Sequence, residues 1–304
     1  MLRSLYSGVS GMKNLQTKMD VVSNNIANVN TVGFKSSRVM FQDMMNQTTA
    51  SAARPANGLG GTNPRQVGLG VQVGSIDTVH TPGSKQSTGR DLDFYLTGAG
   101  YFVVRDGAGD ELYTRDGIFT RDAEGSIVNS AGMKILGQQL GTPMTEDDYI
   151  AAVKGANGDP LKTFPTDPNN MQGLVVPATI DDANGTPQTY QSMAIDRNGI
   201  VTAKYGNTNY VLGKVAVATF TNPDGLEKQG GNNYAASPNT GAPIIAGAGE
   251  NGSGLLESGS IEMSNVDLAN EFTEMIVASR AYQANSRSIT TSDEMLQELL
   301  NLKR

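Results

Sequence analysis

The sequence predicts an α+β protein: N- and C-terminal helices paired as a coiled-coil-like stem, with a β-rich middle and a small insertion. Three observations carry this. All 12 prolines fall between Pro55 and Pro243, and no glycine follows Gly259, so both ends lack helix breakers apart from Gly8 and Gly11. Apolar residues recur every seven positions at each end. Between the ends, short β-branched and aromatic runs alternate with Gly, Asn and Asp turns.

The first stripe is Leu5, Met12, Met19 and Ile26, joined three positions later by Leu15, Val22 and Val29. Residues 33–70 read as a connecting arm, with Asn46 to Asn63 linker-like in its Gly, Ala, Thr and Asn content. Strands are expected at Val71–Val73, Ile76–Val79, Phe94–Leu96 and Tyr101–Val104. Further strands are expected at Leu174–Ile180, Ser192–Ile195, Ile200–Lys204 and Val211–Phe220. Asn198-Gly199 is a hairpin turn between two of them. Together 71–143 and 173–263 form the expected β-rich outer domain. Residues 144–172, acidic and rich in Pro and Asn with one helical patch at Asp147–Val153, form the insertion. The closing stripe is Leu268, Met275, Tyr282, Ile289 and Leu296, flanked by Phe272, Ile276, Leu299 and Leu300. Ser264 to Asp267 reads as the capping box that opens this helix, and Lys303-Arg304 complements its negative end. At 1.5 Å per residue the two helices run roughly 40 Å and 55 Å.

An ordinary amphipathic helix packed on its own domain would show the same stripes. Here they lie at opposite ends of a β-rich chain, and their remaining faces carry Ser23, Asn24, Asn25, Asn28, Asn285, Ser286, Ser288 and Ser292. Small polar residues allow close approach of neighbouring helices but form helix weakly alone. The ends are therefore expected to order when they meet partners. Residues 1–32 and 264–304 are the expected polymerisation domain. Its candidate interface is Leu5, Met12, Leu15, Met19, Val22, Ile26, Val29, Leu268, Phe272, Met275, Ile276, Tyr282, Ile289, Leu296 and Leu299.

A net charge of −7 and no Lys/Arg run argue against nucleic acid as a partner. The absence of Cys excludes disulfides and thiol chemistry. Met1 to Gly8 has no apolar core of the secretory-signal kind, and no stretch has the length of a membrane span, so export calls for another route and membrane insertion is not expected. His80, the one histidine, precedes Thr81-Pro82-Gly83 and reads as a turn residue. Gly68 to Gly74 lacks nucleotide-loop spacing. The pairs Asp91/Asp93, Asp147/Asp148 and Asp181/Asp182 read as solvated loops with no nucleophile or base converging on them. No catalytic residue, cofactor or metal site is expected.

Three blocks resemble the flagellar rod, hook and hook-associated family. The first runs from Ser7-Gly8-Val9-Ser10-Gly11-Met12 through Ser23 to Asn28 and on to Thr31-Val32-Gly33-Phe34-Lys35. The second joins Gly98–Val104 with Tyr113-Thr114-Arg115-Asp116-Gly117 and Gly125–Asn129. The third runs from Gly259 through Ser264–Leu268 and Arg280-Ala281-Tyr282 to Asp293–Leu296. Within the family, Gly61–Val71 with Gly83–Arg90, and Ser264–Leu268 with Ala284–Ser286, resemble hook subunits. The chain is short for a hook, which keeps a distal rod subunit as the alternative; a secreted β-rich binding module or enzyme is a third reading. The resemblance implies a homopolymer whose terminal helices line an inner tube and which transmits motor torque. It also implies rod, hook-cap and hook–filament junction proteins as neighbours, and passage through the flagellar type III export apparatus to the bacterial flagellum.

Overall fold

The computed structural model describes residues 2–55, 60–154, 171–181 and 186–302. Two compact units share the chain: residues up to 29 with 36–79 and 266 onward, and residues 30–35 with 80–265.

The first unit holds helix α1 (Leu2–Ala27) and helix α3 (Leu268–Leu302), with α2 reserved for the short helix Glu146–Lys154 of the second unit. In the same unit, Ser37–Asp43 pairs antiparallel with Val71–Thr78, with a bulge between Met40 and Phe41. Gln47–Ala50 pairs with Arg65–Val67 in a smaller, fully exposed hairpin. Residues 33–70 were expected as an arm and 71–79 as part of the β-rich region. The structure instead joins 37–43 to 71–78 in one ladder, because Val39 and Phe41 have β propensity that their Met- and Gln-containing surroundings mask.

α3 starts at Leu268, and its cap is Asp267 rather than Ser264. The Asp267 Oδ1 accepts from the Ala269 and Asn270 amides at 2.9 and 3.4 Å, while Ser264 lies buried before the helix. The correction has a simple reason: an Asx side chain one residue before the helix reaches its first free amides directly. Lys303 and Arg304 lie outside the described residues. No helix among the described residues is long and apolar enough to cross a membrane.

The second unit is built on a 14-stranded sheet. Its main path runs, in spatial order, through 179–181, 187–195, 200–205, 208–215, 134–145, 101–105, 111–114, 233–235 and 227–230, with every pairing antiparallel. The run Tyr101-Phe102-Val103-Val104 shows why both faces are covered. Phe102 and Val104 join a core with Phe94, Phe119, Ile135 and Val217, while Tyr101 and Val103 join another with Tyr113, Leu136 and Tyr234. A continuous apolar run is what a strand buried on both faces requires. The Asp196–Gly199 turn closes 187–195 onto 200–205.

The expected insertion begins as a continuation of the sheet. Met144 and Thr145 still pair with Val211 and Tyr210, and Gln172 pairs back with Gly137. α2 follows, capped where the Asp148 amide donates to Thr145 Oγ1 and the Thr145 hydroxyl to Asp148 Oδ2. Glu146, Asp147 and Asp148 in its first turn favour the helix dipole, and Tyr149 packs on Val211. The rest of the insertion, 155–170, lies outside the described residues.

Candidate assembly surface

α1 and α3 lie side by side in opposite directions. Gly8 faces Ile289 and Asn285, Gly11 faces Asn285, Lys18 pairs with Glu274 at 3.0 Å, and Asn25 meets Glu271 at 3.0 Å. Glycine permits this approach: a Cβ at Gly8 would stand 3.1 Å from the Ile289 Cγ1. On α3 the covered positions include Met275, Ala278, Asn285, Ile289, Ser292 and Leu296, three or four residues apart except for the step of seven from Ala278 to Asn285. Ala278 and Ser292 are the most buried of them.

Asn25 joins three segments. Its amide nitrogen donates to the Ser37 carbonyl at 2.9 Å and to Glu271 Oε1, and its carbonyl oxygen accepts from the Ser37 amide at 3.0 Å. The side chain thus pairs with Ser37 as a neighbouring strand would, and ties the start of Ser37–Asp43 to α1 and to the first turn of α3. Burial pushes the Glu271 carboxyl up, against the hydrogen bond from Asn25. Further along, Asn14 Nδ2 donates to the Val71 carbonyl.

The candidate interface residues divide into two groups. Val22 is buried within the unit, and Leu5, Met12, Leu15, Met19, Ile26, Val29, Met275, Ile289 and Leu296 are half-covered. Leu268, Phe272, Ile276 and Tyr282 are exposed, Ile276 to 62%. Val277, which the heptad reading passes over, is 59% exposed beside it. The Leu299 side chain lies outside the described residues.

Sequence reasoning missed a buried ionic cluster in the second unit. Glu262 is 1% exposed, Lys35 0% and Arg115 3%. Lys35 Nζ lies 2.5 Å from Glu262 Oε1, and Arg115 Nη1 lies 3.1 Å from Oε2. Backbone groups add to the cluster: Lys35 donates to the Thr81 carbonyl at 2.7 Å, Arg115 to the Leu96 and Gly98 carbonyls, and the Gly83 amide to Glu262 Oε1. The buried Arg115 Nε has no hydrogen-bond partner among the described residues. Burial pushes the Lys35 ammonium down, while the Glu262 charge pulls it back up. Around them the Gly33 amide donates to the Glu262 carbonyl, Asn232 Nδ2 to the Val32 carbonyl, and Lys228 Nζ to the Lys35 carbonyl. Gly33 has φ +69°, and a Cβ there would stand 2.8 Å from the Arg115 carbonyl carbon, so the turn into Lys35 needs glycine. One residue comes from each of the three sequence blocks, and the cluster fastens them together.

His80 is not a turn residue. Its ring lies edge-on to Tyr101 and Tyr234, with Nδ1 2.5 Å from the Tyr101 hydroxyl. Burial pushes it down to about 4. The hydroxyl and ring contacts give it an aromatic packing role, which its Thr-Pro-Gly sequence neighbours conceal.

Three stretches match known families: a flagella basal body rod protein family over 5–35, a flagellar hook protein FlgE/F/G D1 domain over 95–203, and a flagellar basal body rod FlgEFG protein C-terminal family over 257–302. The flagellar basal-body rod protein FlgG of Bacillus subtilis (strain 168) is 46% identical over 305 residues, covering all of both chains. The flagellar hook protein FlgE of Borreliella burgdorferi is 34% identical over 442 positions, again covering all of both, and the rod protein FlgG of the same organism is 33% identical over 308. The crystal structure of Helicobacter pylori flagellar hook protein FlgE2 aligns over 60% of this chain and all of its own, with a TM-score of 0.37 and 12% identity.

Proposed function

The chain belongs to the flagellar rod and hook family of structural axial subunits, and from that premise we propose that its copies stack through the paired terminal helices into a tube that carries motor torque. The observation that carries this reading is the exposed apolar row Leu268, Phe272, Ile276 and Val277 on α3. A surface of that kind on a lone subunit faces water unless another chain covers it. Burying it between copies returns about 25 cal/mol per Å² of apolar area. The half-covered seam between α1 and α3 supports a coiled-coil-like stem, with the exposed Tyr282 extending the outward interface.

Two positions along the axis compete. Equal length favours a distal rod subunit: the alignment to the Bacillus rod protein runs over 305 positions, whereas the Borreliella and Treponema pallidum hook proteins need 442 and 464. The wording of Gly61–Val71 and Gly83–Arg90 favours the hook. Neighbouring rod, hook-cap and hook–filament junction proteins and the type III export apparatus are the proposed partners in either case. A chain without Cys has no disulfide to form or undo on export.

Fractionation of isolated basal bodies tests the position: recovery inside the outer ring supports the rod, recovery beyond it the hook. Deletion of residues 2–28 or 270–304 tests the assembly. Truncated chains that still built the axial structure would overturn the role given to the helices.

A further inference from the structure

A groove in the first unit is lined by Tyr6, Val9, Ser10 and Lys13 of α1 together with Met44 and Leu69. Its volume is about 420 Å³ and its lining is largely apolar. Tyr6 is 72% exposed. Lys13, at its rim, makes no ion pair among the described residues. A second uncovered apolar surface lies at the same end of the pair, beyond the start of α1. Gly8 faces Ile289, and α1 starts six residues before Gly8, so α3 beyond about residue 295 runs past the start of α1 for roughly 10 Å. Met295 and Leu300 are exposed there, Leu300 to 69%.

The charges of the two surfaces are opposite. Lys13 is the one charged residue among the described residues of the groove lining, and Lys18 further along α1 is already paired with Glu274. The turns of α3 from 293 to 302 carry Asp293, Glu294 and Glu298 and no base, ahead of Lys303 and Arg304 in the sequence.

We propose that the overhanging end of α3 in one copy, through Met295 and Leu300, seats in the Tyr6–Val9–Met44–Leu69 groove of a second copy, with Glu294 and Glu298 against Lys13. This rests on the axial-subunit reading and names the contact within it. Because the groove and its occupant are different surfaces of the same chain, the contact is heterologous. It propagates into an open helical polymer unless the rotation closes a ring. Each copy covers one groove and presents one α3 end, so both apolar surfaces vanish along the tube and reappear only at its two tips.

The chain contains no Cys, so two introduced thiols report the contact without background. Val9→Cys and Leu300→Cys are placed together in the full-length chain, expressed in cells that build the axial structure, and oxidised. Within one chain the register sets these positions roughly 18 Å apart along the helices, beyond the reach of a disulfide. A ladder of covalent multimers in the double variant, absent from both single variants, is the expected result. Monomers only, in cells whose axial structure is built, would overturn this contact and leave the axial reading standing. Absence of the chain from any axial structure would overturn both. A charge exchange guards against damage from the thiols: Lys13→Glu and Glu298→Lys should each lower assembly, and the double variant should recover it. Loss in the singles without recovery in the double also counts against the contact.

Discussion

Glu262 holds Lys35 and Arg115 on its two carboxylate oxygens in a site from which water is excluded. Its value lies less in attraction than in what its removal exposes, since an uncompensated buried cation costs far more than a solvated one. Glu262→Gln should lower unfolding free energy by about 3–5 kcal/mol in a urea titration. The exposed pair Lys85–Glu257 provides the contrast: Lys85→Met should change stability by less than about 1 kcal/mol. Equal effects from the two would sink the claim that burial sets the difference. None of this cluster was legible beforehand, because its members lie 80 and 147 residues apart and a single charge in sequence reads as surface. His80 was visible as the lone histidine, but its partners Tyr101 and Tyr234 come from distant strands. Its folded value of about 4 lies below the ordinary 6.5. Above 6.5 both folded and unfolded states are neutral, and the full stability is present. As pH falls toward 4 the unfolded chain takes up a proton that the folded chain refuses, so stability drops by roughly 2 to 3 kcal/mol across that window. The one histidine makes the check direct: its ring proton shift in NMR should titrate near 4, and a midpoint near 6.5 would refute it. His80→Gln, which keeps an acceptor for the Tyr101 hydroxyl, should flatten the loss of stability between 6.5 and 4.

α1 and α3 were the most legible elements, because each carries a seven-residue apolar repeat without Pro, and Gly8 and Gly11 are the sole glycines in either stretch. The repeat also picked out Met275, Ile289 and Leu296. It could not show that Gly8, Gly11, Ala278, Asn285 and Ser292 form the close part of the contact, since small and polar residues carry little hydrophobic signal. Strand positions in the β-rich middle were recoverable from β-branched runs, whereas pairing was not: nothing local tells Ser37–Asp43 that its partner is Val71–Thr78. The start of α3 is a similar case, where Ser264 and Asp267, three positions apart, competed and side-chain reach decided for Asp267. Asp267→Ala should cost about 1 kcal/mol, felt first at the helix end. Hydrogen exchange at residues 269–272 should accelerate while α1's middle turns keep their rates. Uniform acceleration along both helices would instead mark Asp267 as a global contact, and no change would remove it as the cap.

Across the whole molecule, burial is uneven in a way that bears on assembly. The second unit has aromatic and aliphatic side chains packed on both faces of its central strands. By contrast, described residues from Phe41 through Leu69 are all exposed, and the hairpin 47–50 with 65–67 has no covered face. A two-stranded ribbon of that kind is marginally stable alone and opens locally at little cost. Trypsin makes the difference measurable. Arg54 precedes Pro55 and resists cleavage, so Arg65 should be the first site cut, giving a fragment that begins at Gln66. Arg280 and Arg287, exposed on α3, should follow, because the small polar residues of this helix make it weak by itself. Arg105, Arg115 and Arg121, in or beside the sheet, should be cut last. Assembly changes the order in a specific way. If α3 is enclosed between copies, Arg280 and Arg287 become the protected sites while the second unit's arginines keep their rates. Mass spectrometry of timed digests from unassembled and polymerised protein reads both patterns. Identical cleavage of Arg280 and Arg287 in the two states would mean that α3 stays open to solvent in the polymer, and the exposed apolar row would then need another partner.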